Sequence, residues 1–449
     1  MRHSISYNWT ESSPISLTLD MTHSQLSRRK FLSTAGRSTA ATGAAALLLK
    51  TSNLFAQQLE EAPTAIDRID VSKLRSQYSL GKEVVYLNHA SIGAIPIPVQ
   101  NARAEYLKIC ESNPWLYTWG GAWDEGREQT RGQIAKLIGC SESEVALTHN
   151  TTEFFNTLAH GLPFEPGDEV LFSSLNHSGA SVAFEHMADV RKYKVREFEF
   201  PMDNVTELTS ERVVELYAAQ IRPETKLLVF PHIDNTIGLR HPVKQIAAMA
   251  RKAGVSFVAV DAAQSVGTID VNVRELGVDA YSTSPHKWLG APKGLGLAYV
   301  SKSLQETLRP MWVTWGQKSW SESARKYEDY GTRNLAEVLA LGNAITFHTA
   351  LDQSLREKRL QEIWQHTKTR AEAHNQTRFN SPAEFPVGSP VISIEVMNAD
   401  CNQLAKSLFR DHQIVVRPFK IGKQETIRIS PNIYTSTAEI DQFFDILEG

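Results

Sequence analysis

Cysteine is scarce in this sequence: Cys110, Cys140 and Cys401 are the only three. The number is odd and no two stand in a C-x-x-C spacing, which excludes a disulfide framework and a thiolate zinc site. Excess charge of one sign is also missing. Lys and Arg total 47 against 50 Asp and Glu, a net charge of −3, without the basic stripe that a nucleic-acid partner requires. Beyond the N-terminal leader no apolar run approaches the roughly 18 residues of a membrane span. There is no internal repeat, and biased composition is confined to the leader. What is present is ordinary for a globular chain, 42% hydrophobic and 22% charged over 449 residues, long enough for two or three domains.

The leader has a pattern of its own. "SRRKFLSTAGRSTAATGAAALLLKTSNLFAQ" sets Arg28 and Arg29 before Phe31-Leu32, then an Ala-rich, weakly apolar run ending at the small residue Ala56. This resembles a bacterial twin-arginine (Tat) export signal; the bland alternative is an amphipathic arm. The resemblance implies a signal peptide over 1–56, the Tat export machinery as a partner, and a periplasmic or otherwise exported product with no stable membrane span in its mature form. Residues 1–20 add nothing to the signal, so Met21 is an alternative start. Leu54 departs from the small residue usual three positions before the cut. Residues 57–83 are polar and read as an N-terminal arm.

From residue 84 helical stretches alternate with short apolar runs. Strands are expected at 144–150, 168–174, 225–233, 255–264, 279–287 and 294–300, several apolar on both faces as buried parallel strands are. "HPVKQIAAMARKAG" (241–254) reads as a connecting helix with Pro near its start and Gly at its end. This repetition predicts an α/β fold, a large doubly wound domain over 84–334 that binds ligands at the carboxyl ends of its strands. Past residue 335 a long helical segment precedes the strands "PVISIEVM", "IVVRPF" and "TIRIS", a smaller α+β C-terminal domain over 335–449.

Three strand ends carry polar groups. "FVAVDAAQS" places Asp261 after an apolar run, where a carboxylate needs a cationic partner, with Gln264 one turn on. A structural N-cap is the commoner use of such an aspartate. "STSPHKW" carries Lys287 behind Ser284 and His286. A lysine in a low-dielectric cleft has a lowered pKa and a nucleophilic amine, although a snorkelling lysine beside a tryptophan is the bland alternative. "LTHNTTEFF" opens a helix with Thr151 and Thr152, a ready phosphate site or a plain cap. An aldehyde with a phosphate tail and a pyridine ring uses all three features at once. Lysine takes the aldehyde, the hydroxyls and histidine take the phosphate, and aspartate keeps the ring nitrogen protonated. That group is pyridoxal 5′-phosphate.

These stretches, with "YLNHASIGAIP", "ESNPW", "PGDEVL", "PHIDNTIG", "YGTRN" and "IRIS", resemble the class V aminotransferase-fold pyridoxal-phosphate enzymes, isopenicillin N epimerase-like, from about Tyr86 to the C-terminus. The resemblance implies PLP fold type I, aspartate aminotransferase-like, with Lys287 as the Schiff-base lysine and Asp261 on the pyridine nitrogen. Gln264 and Asn235 would serve the ring hydroxyl region. Thr151, Thr152, Ser284 and His286 would hold phosphate, and Thr332 would reach a neighbouring subunit's phosphate, which implies a homodimer with a shared active site. His177 matches the position that stacks on the ring; the epimerases often carry Tyr there and cysteine desulfurases His. Arg428 would take the substrate carboxylate, with Arg417, Asn88 and His89 as further candidates for that pocket.

An amino-acid substrate is implied, with Lys287 the natural base for its α-proton. Epimerisation and transamination both begin there, and so does a C–S lyase that eliminates a β-substituent. A desulfurase needs a cysteine after the "VVR" strand, where this chain reads "PFKIGKQE". The non-enzyme reading is a PLP-fold binding protein without catalysis; such degenerate members lose the lysine or the aspartate, and both are present.

Overall fold

A computed structural model describes residues 70–421 and 424–448 of the chain. The twin-arginine segment, its cleavage site and residues 57–69 of the 57–83 arm lie outside the described residues. Thirteen strands run along the described chain: β1 (Val85–Tyr86), β2 (Val145–Thr148), β3 (Glu169–Ser173), β4 (Lys194–Phe198), β5 (Thr225–Pro231), β6 (Phe257–Asp261), β7 (Ala280–Thr283), β8 (Gly296–Val300), β9 (Thr377–Phe379), β10 (Ile392–Val396), β11 (Ile414–Val415), β12 (Arg417–Ile421) and β13 (Gln424–Ile429).

Seven of them form one sheet in the order β2-β8-β7-β6-β5-β3-β4. β3 to β7 pair in parallel, while β8 runs antiparallel to both β7 and β2. Six strands therefore point the same way and only β8 is reversed. Every residue of β2, β3, β7 and β8 is buried, as sheets covered by helices on both faces require. The core between sheet and helices includes Phe154, Phe155, Leu158, Phe172, Phe184 and Val229. This is the α/β fold of type I pyridoxal-phosphate enzymes. β4 was not expected from the sequence. Its "KVREF" carries three charges, and it lies at the sheet edge, where charged residues block further pairing.

A second sheet, β12-β13-β10-β9, is antiparallel throughout. Ile392, Ile394, Ile427 and Ile429 alternate onto one of its faces and meet Phe443 and Phe444 of the closing helix Thr437–Glu448. Val85 and Leu87 belong to this C-terminal core, because β1 pairs in parallel with β11. Within the stretch read as the large domain, 84–334, the chain thus first contributes a strand beside β11 and then crosses to the large sheet. The long helical segment after 335 is two helices, Leu335–Thr349 and Gln353–Ala373, the second capped by Asp352.

One buried ion pair ties β2 to the segment that crosses back. Glu328 accepts from Arg131 Nη2 at 2.7 Å, from Arg131 Nη1 at 2.9 Å and from the Leu147 amide at 2.7 Å. Arg131 also donates to the Val145 carbonyl, and both side chains are buried. Removing Glu328 leaves the buried Arg131 with only one acid, half-buried Glu128, which accepts from its Nε at 2.9 Å. Glu328→Ala is expected to lower unfolding free energy by about 3–5 kcal/mol, read from urea denaturation midpoints; a loss under about 1 kcal/mol, the worth of a surface pair, contradicts the assignment.

Candidate active site

The strand-end residues gather where the parallel strands terminate. β7 stops at Thr283, so Lys287 is not the last residue of a strand as the sequence suggested; it sits in the turn that follows. Lys287 N donates to the Ser284 carbonyl at 3.2 Å, and Ala291 N to Pro285 at 3.1 Å. Proline at 285 and glycine at 290 (φ +69°) suit a turn and not a strand. Gly93 of "ASIGAIP" lies on this turn, its amide donating to the His286 carbonyl at 2.9 Å. A side chain there would place its first carbon 1.8 Å from the Lys287 carbonyl oxygen, so glycine alone permits the contact. On the other side buried Trp288 donates Nε1 to Gln264 Oε1 at 2.7 Å, and Gln264 Nε2 donates to the Ala90 carbonyl at 2.9 Å. Gln264 borders the pocket, but both ends of its amide are engaged with protein. It clamps the lysine turn while lining the pocket.

The pocket is lined by Asp261, Lys287, His177, Asn235 and Gln264, with Pro231, Ile233 and Ala263 as apolar wall. Burial brings the Lys287 amine down to about 8; Asp261 opposes that shift and the Arg428 cation adds to it. Asp261 Oδ1 accepts the Ala263 amide at 2.9 Å, and among the described residues Asp261 forms no ion pair. It is a strand-end carboxylate, 6% exposed, without a cation of its own. His177 stands at the pocket mouth as the cap of Ser178–Ala180, its Nδ1 accepting from the Gly179 amide at 3.0 Å. Burial lowers its pKa, with Lys287 and Arg428 adding to the effect and Asp261 opposing it. The neutral ring therefore carries its proton on Nε2.

Beside the pocket, Thr151 and Ser284 meet. The Thr151 amide donates to Ser284 Oγ at 3.1 Å, and the two hydroxyl oxygens are 2.9 Å apart. Thr151 opens the helix Thr151–Gly161, whose cap Asn150 accepts from Glu153 N, so helix dipole and hydroxyls point one way. Thr152 is exposed beside it. His286 Nδ1 is buried without a hydrogen-bond partner, and burial pulls its pKa down to about 4.

Arg428 on β13 is buried. Its Nη1 donates to the Asn235 carbonyl at 2.7 Å, and its Nη2 to Asn88 Oδ1 at 3.0 Å and Ser91 Oγ at 2.5 Å; Nε has no partner. Asp234 shapes the loop that offers the Asn235 carbonyl, its carboxylate accepting from the amides of Thr236, Ile237 and Leu239. Asn88 thus reaches the pocket through Arg428. His89 does not: its ring is buried, with Nδ1 against the Ser430 carbonyl and Nε2 against the Tyr434 hydroxyl. The turn that begins at Asn88, with Ser91 N donating to the Asn88 carbonyl at 3.1 Å, carries its ring into the core, away from the place the sequence suggested beside the substrate. Arg417 is exposed on β12. Thr332 is exposed on a loop held by Arg333, which donates to the carbonyls of Leu147 and Thr148, and within this chain it does not join the pocket. Ser91, Gly93 and Trp288 were missed as positioning residues; their signal was present in "NHASIGAIP" and "HKWLG".

The aminotransferase class-V family model matches residues 85–443. The chain is 26% identical over 399 residues to an isopenicillin N epimerase of Amycolatopsis lactamdurans, covering 83% of this chain and 97% of the relative. It is 27% identical over 409 residues to a probable cysteine desulfurase of Methanothermobacter thermautotrophicus, covering 84% and 96%. Among solved structures, the cystine C–S lyase C-DES superimposes with a TM-score of 0.75 at 20% identity, over 82% of this chain and 97% of that one.

Because only the free amine attacks an aldehyde, capture of added pyridoxal phosphate by Lys287 should accelerate with pH up to about 8 and then level off. An acceleration that continues toward 10.5, the value of an unperturbed lysine, contradicts the enclosure. In Asp261→Asn the carboxylate that favours the ammonium is gone, so the midpoint should fall. Borohydride-trapped cofactor, followed against pH in both proteins, provides the measurement.

Proposed function

The chain belongs to the aminotransferase class-V family, and from that premise we propose that it labilises the Cα proton of an amino-acid substrate, with epimerisation or transamination as the outcome. It is a pyridoxal 5′-phosphate enzyme, and its pocket fits that cofactor on three counts. Asp261 is a buried carboxylate without a cation, matched to a protonated pyridine nitrogen. The Thr151–Ser284 pair stands at a helix N-terminus, matched to a phosphate, and His286, two residues past Ser284, keeps a buried Nδ1 without a partner. Lys287 offers its amine in the same pocket. When bound, the cofactor supplies an electron sink for charge that develops at Cα.

The carrying observation is the joint placement of Lys287 and Asp261 in one pocket, with Arg428 close enough to depress the lysine further. Arg428 anchors the carboxylate and so sets which bond at Cα faces the base. Lys287, at about 8, is suited to take a proton near neutral pH and give it back. His177, with Nε2–H facing the mouth, is the candidate second proton carrier that epimerisation needs.

A β-elimination reading uses the same lysine and the same first deprotonation. Relay of sulfur through a protein thiol is not supported. Burial pushes the thiols of Cys140 and Cys401 up to about 12, and none of the three cysteines lines the pocket. The homodimer is part of this proposal, supported by Thr332 and by exposed Trp119, Trp312 and Trp315 on one chain. Export is supported by the Arg28-Arg29 leader alone.

Incubation with D- and L-amino acids in heavy water should place deuterium at Cα of at least one substrate, seen by mass spectrometry, and Lys287→Ala should abolish it. Incorporation that survives the substitution, or no incorporation across the panel, defeats the proposal. Chiral and keto-acid analysis of the same samples then distinguishes racemisation, transamination and elimination. For the leader, replacing both arginines with lysine should leave the protein in the cytoplasm; undiminished export refutes the twin-arginine route.

A further inference from the structure

β12 and β13 set two arginines directly opposite each other: Arg417 and Arg428 are cross-strand partners in the antiparallel register. Their side chains therefore share a face, and like charges so placed repel. Both guanidinium groups lie near the Phe419 ring, 5.7 Å and 5.1 Å from its centroid, which offsets part of that repulsion. Arg417 forms no ion pair among the described residues. The repulsion is registered at Arg428, whose pKa is drawn down to about 10 by burial first and then by Arg417, with Asp234 opposing. Asp234 does not neutralise the pair, since its carboxylate is taken up by three backbone amides. Glu395, on the same face further along β10, is paired with Arg378 at 3.3 Å.

The neighbouring strand adds a second sign. Ser393 on β10 is the cross-strand partner of Arg428 on its other side. Its buried Oγ has no hydrogen-bond partner, nor has Arg428 Nε. Two orphaned polar atoms and an unpaired cation thus lie side by side in register across three strands. The opposite face of the same strands is closed with isoleucine. A buried polar group left without partners is destabilising, so this row is laid out for acceptors that a ligand brings.

We propose that Arg417 is a specificity residue for a second carboxylate, and that the substrates are amino acids whose side chain ends in an acid. Arg428, buried and already tied to Asn88, Ser91 and Asn235, takes the α-carboxylate. Arg417, exposed on the edge strand, takes the distal one. The assignment rests on the amino-acid reading of the pocket given above.

The test is equilibrium binding of aspartate, glutamate and 2-aminoadipate to the holoenzyme, both enantiomers of each, against asparagine, glutamine and norleucine. Binding is read as the change in cofactor absorbance and, independently, by calorimetry. At least one acidic amino acid should bind about tenfold or more tighter than its neutral analogue, the worth of one charge-assisted hydrogen bond. Arg417→Met, which keeps the aliphatic stem over Phe419, should remove that preference while the neutral analogues still bind. Arg428→Met should weaken every ligand. An equal preference in Arg417→Met, or none in the parent protein while neutral amino acids still bind, overturns the second-carboxylate site and spares the amino-acid reading. If no amino acid of either charge binds, both fall together.

Discussion

The site depends on keeping one lysine amine largely free of water, near a carboxylate with which it forms no ion pair. Contact between Lys287 and Asp261 would make an ordinary buried ion pair, with the lysine protonated and inert. Instead the enclosure lowers the amine to about 8, while Asp261 spends one oxygen on the Ala263 amide. Both groups are thereby held ready for something that is not part of the chain: the amine for an aldehyde, the carboxylate for a ring cation. Arg428 contributes twice, as an anchor for substrate and as a fixed positive charge that helps hold the lysine neutral.

That balance requires a rigid turn, and the rigidity is supplied from both sides. Gly93 lets the early "ASIG" segment lie directly on the Lys287 backbone, and the Trp288–Gln264–Ala90 chain of hydrogen bonds closes the other side. The same early segment supplies Asn88 and Ser91 to Arg428. A single stretch, residues 88–93, thus bridges the C-terminal sheet to the lysine turn. It does so because β1 joins β11 before the chain crosses to the large sheet. Cofactor lysine and carboxylate anchor are positioned relative to one another through that crossing.

Charge on the two sheets is handled differently. Around the large sheet, away from the pocket, buried charges meet partners, as in Arg131–Glu328 and Arg196–Glu169, and the pairs stabilise the frame. On one face of β12 and β13 two arginines, Arg417 exposed and Arg428 buried, are left facing each other without an ion-pair partner among the described residues. Like charges placed directly opposite destabilise a sheet, and a bound anion would relieve that repulsion.

Much of this was legible in the sequence. Apolar runs of four to seven residues marked the buried strands, and polar residues just past them marked Asp261, Thr151 and the Lys287 turn, because a parallel sheet places its strand ends on one side. The β4 edge strand was not legible, since its charges follow from exposure at the edge and hide its pattern. Nor could local pattern show that β1 joins the C-terminal core, a pairing across more than three hundred residues. The different directions of Asn88 and His89 were equally hidden, because a turn that begins at Asn88 sets them and their partners lie on or just past the distant β13. The sequence by itself determined which chemical groups the site would own. Only the tertiary structure decided which of them touch, that Gln264 is a clamp and that Arg417 stands opposite Arg428, because register and long-range pairing are properties of the assembled sheet.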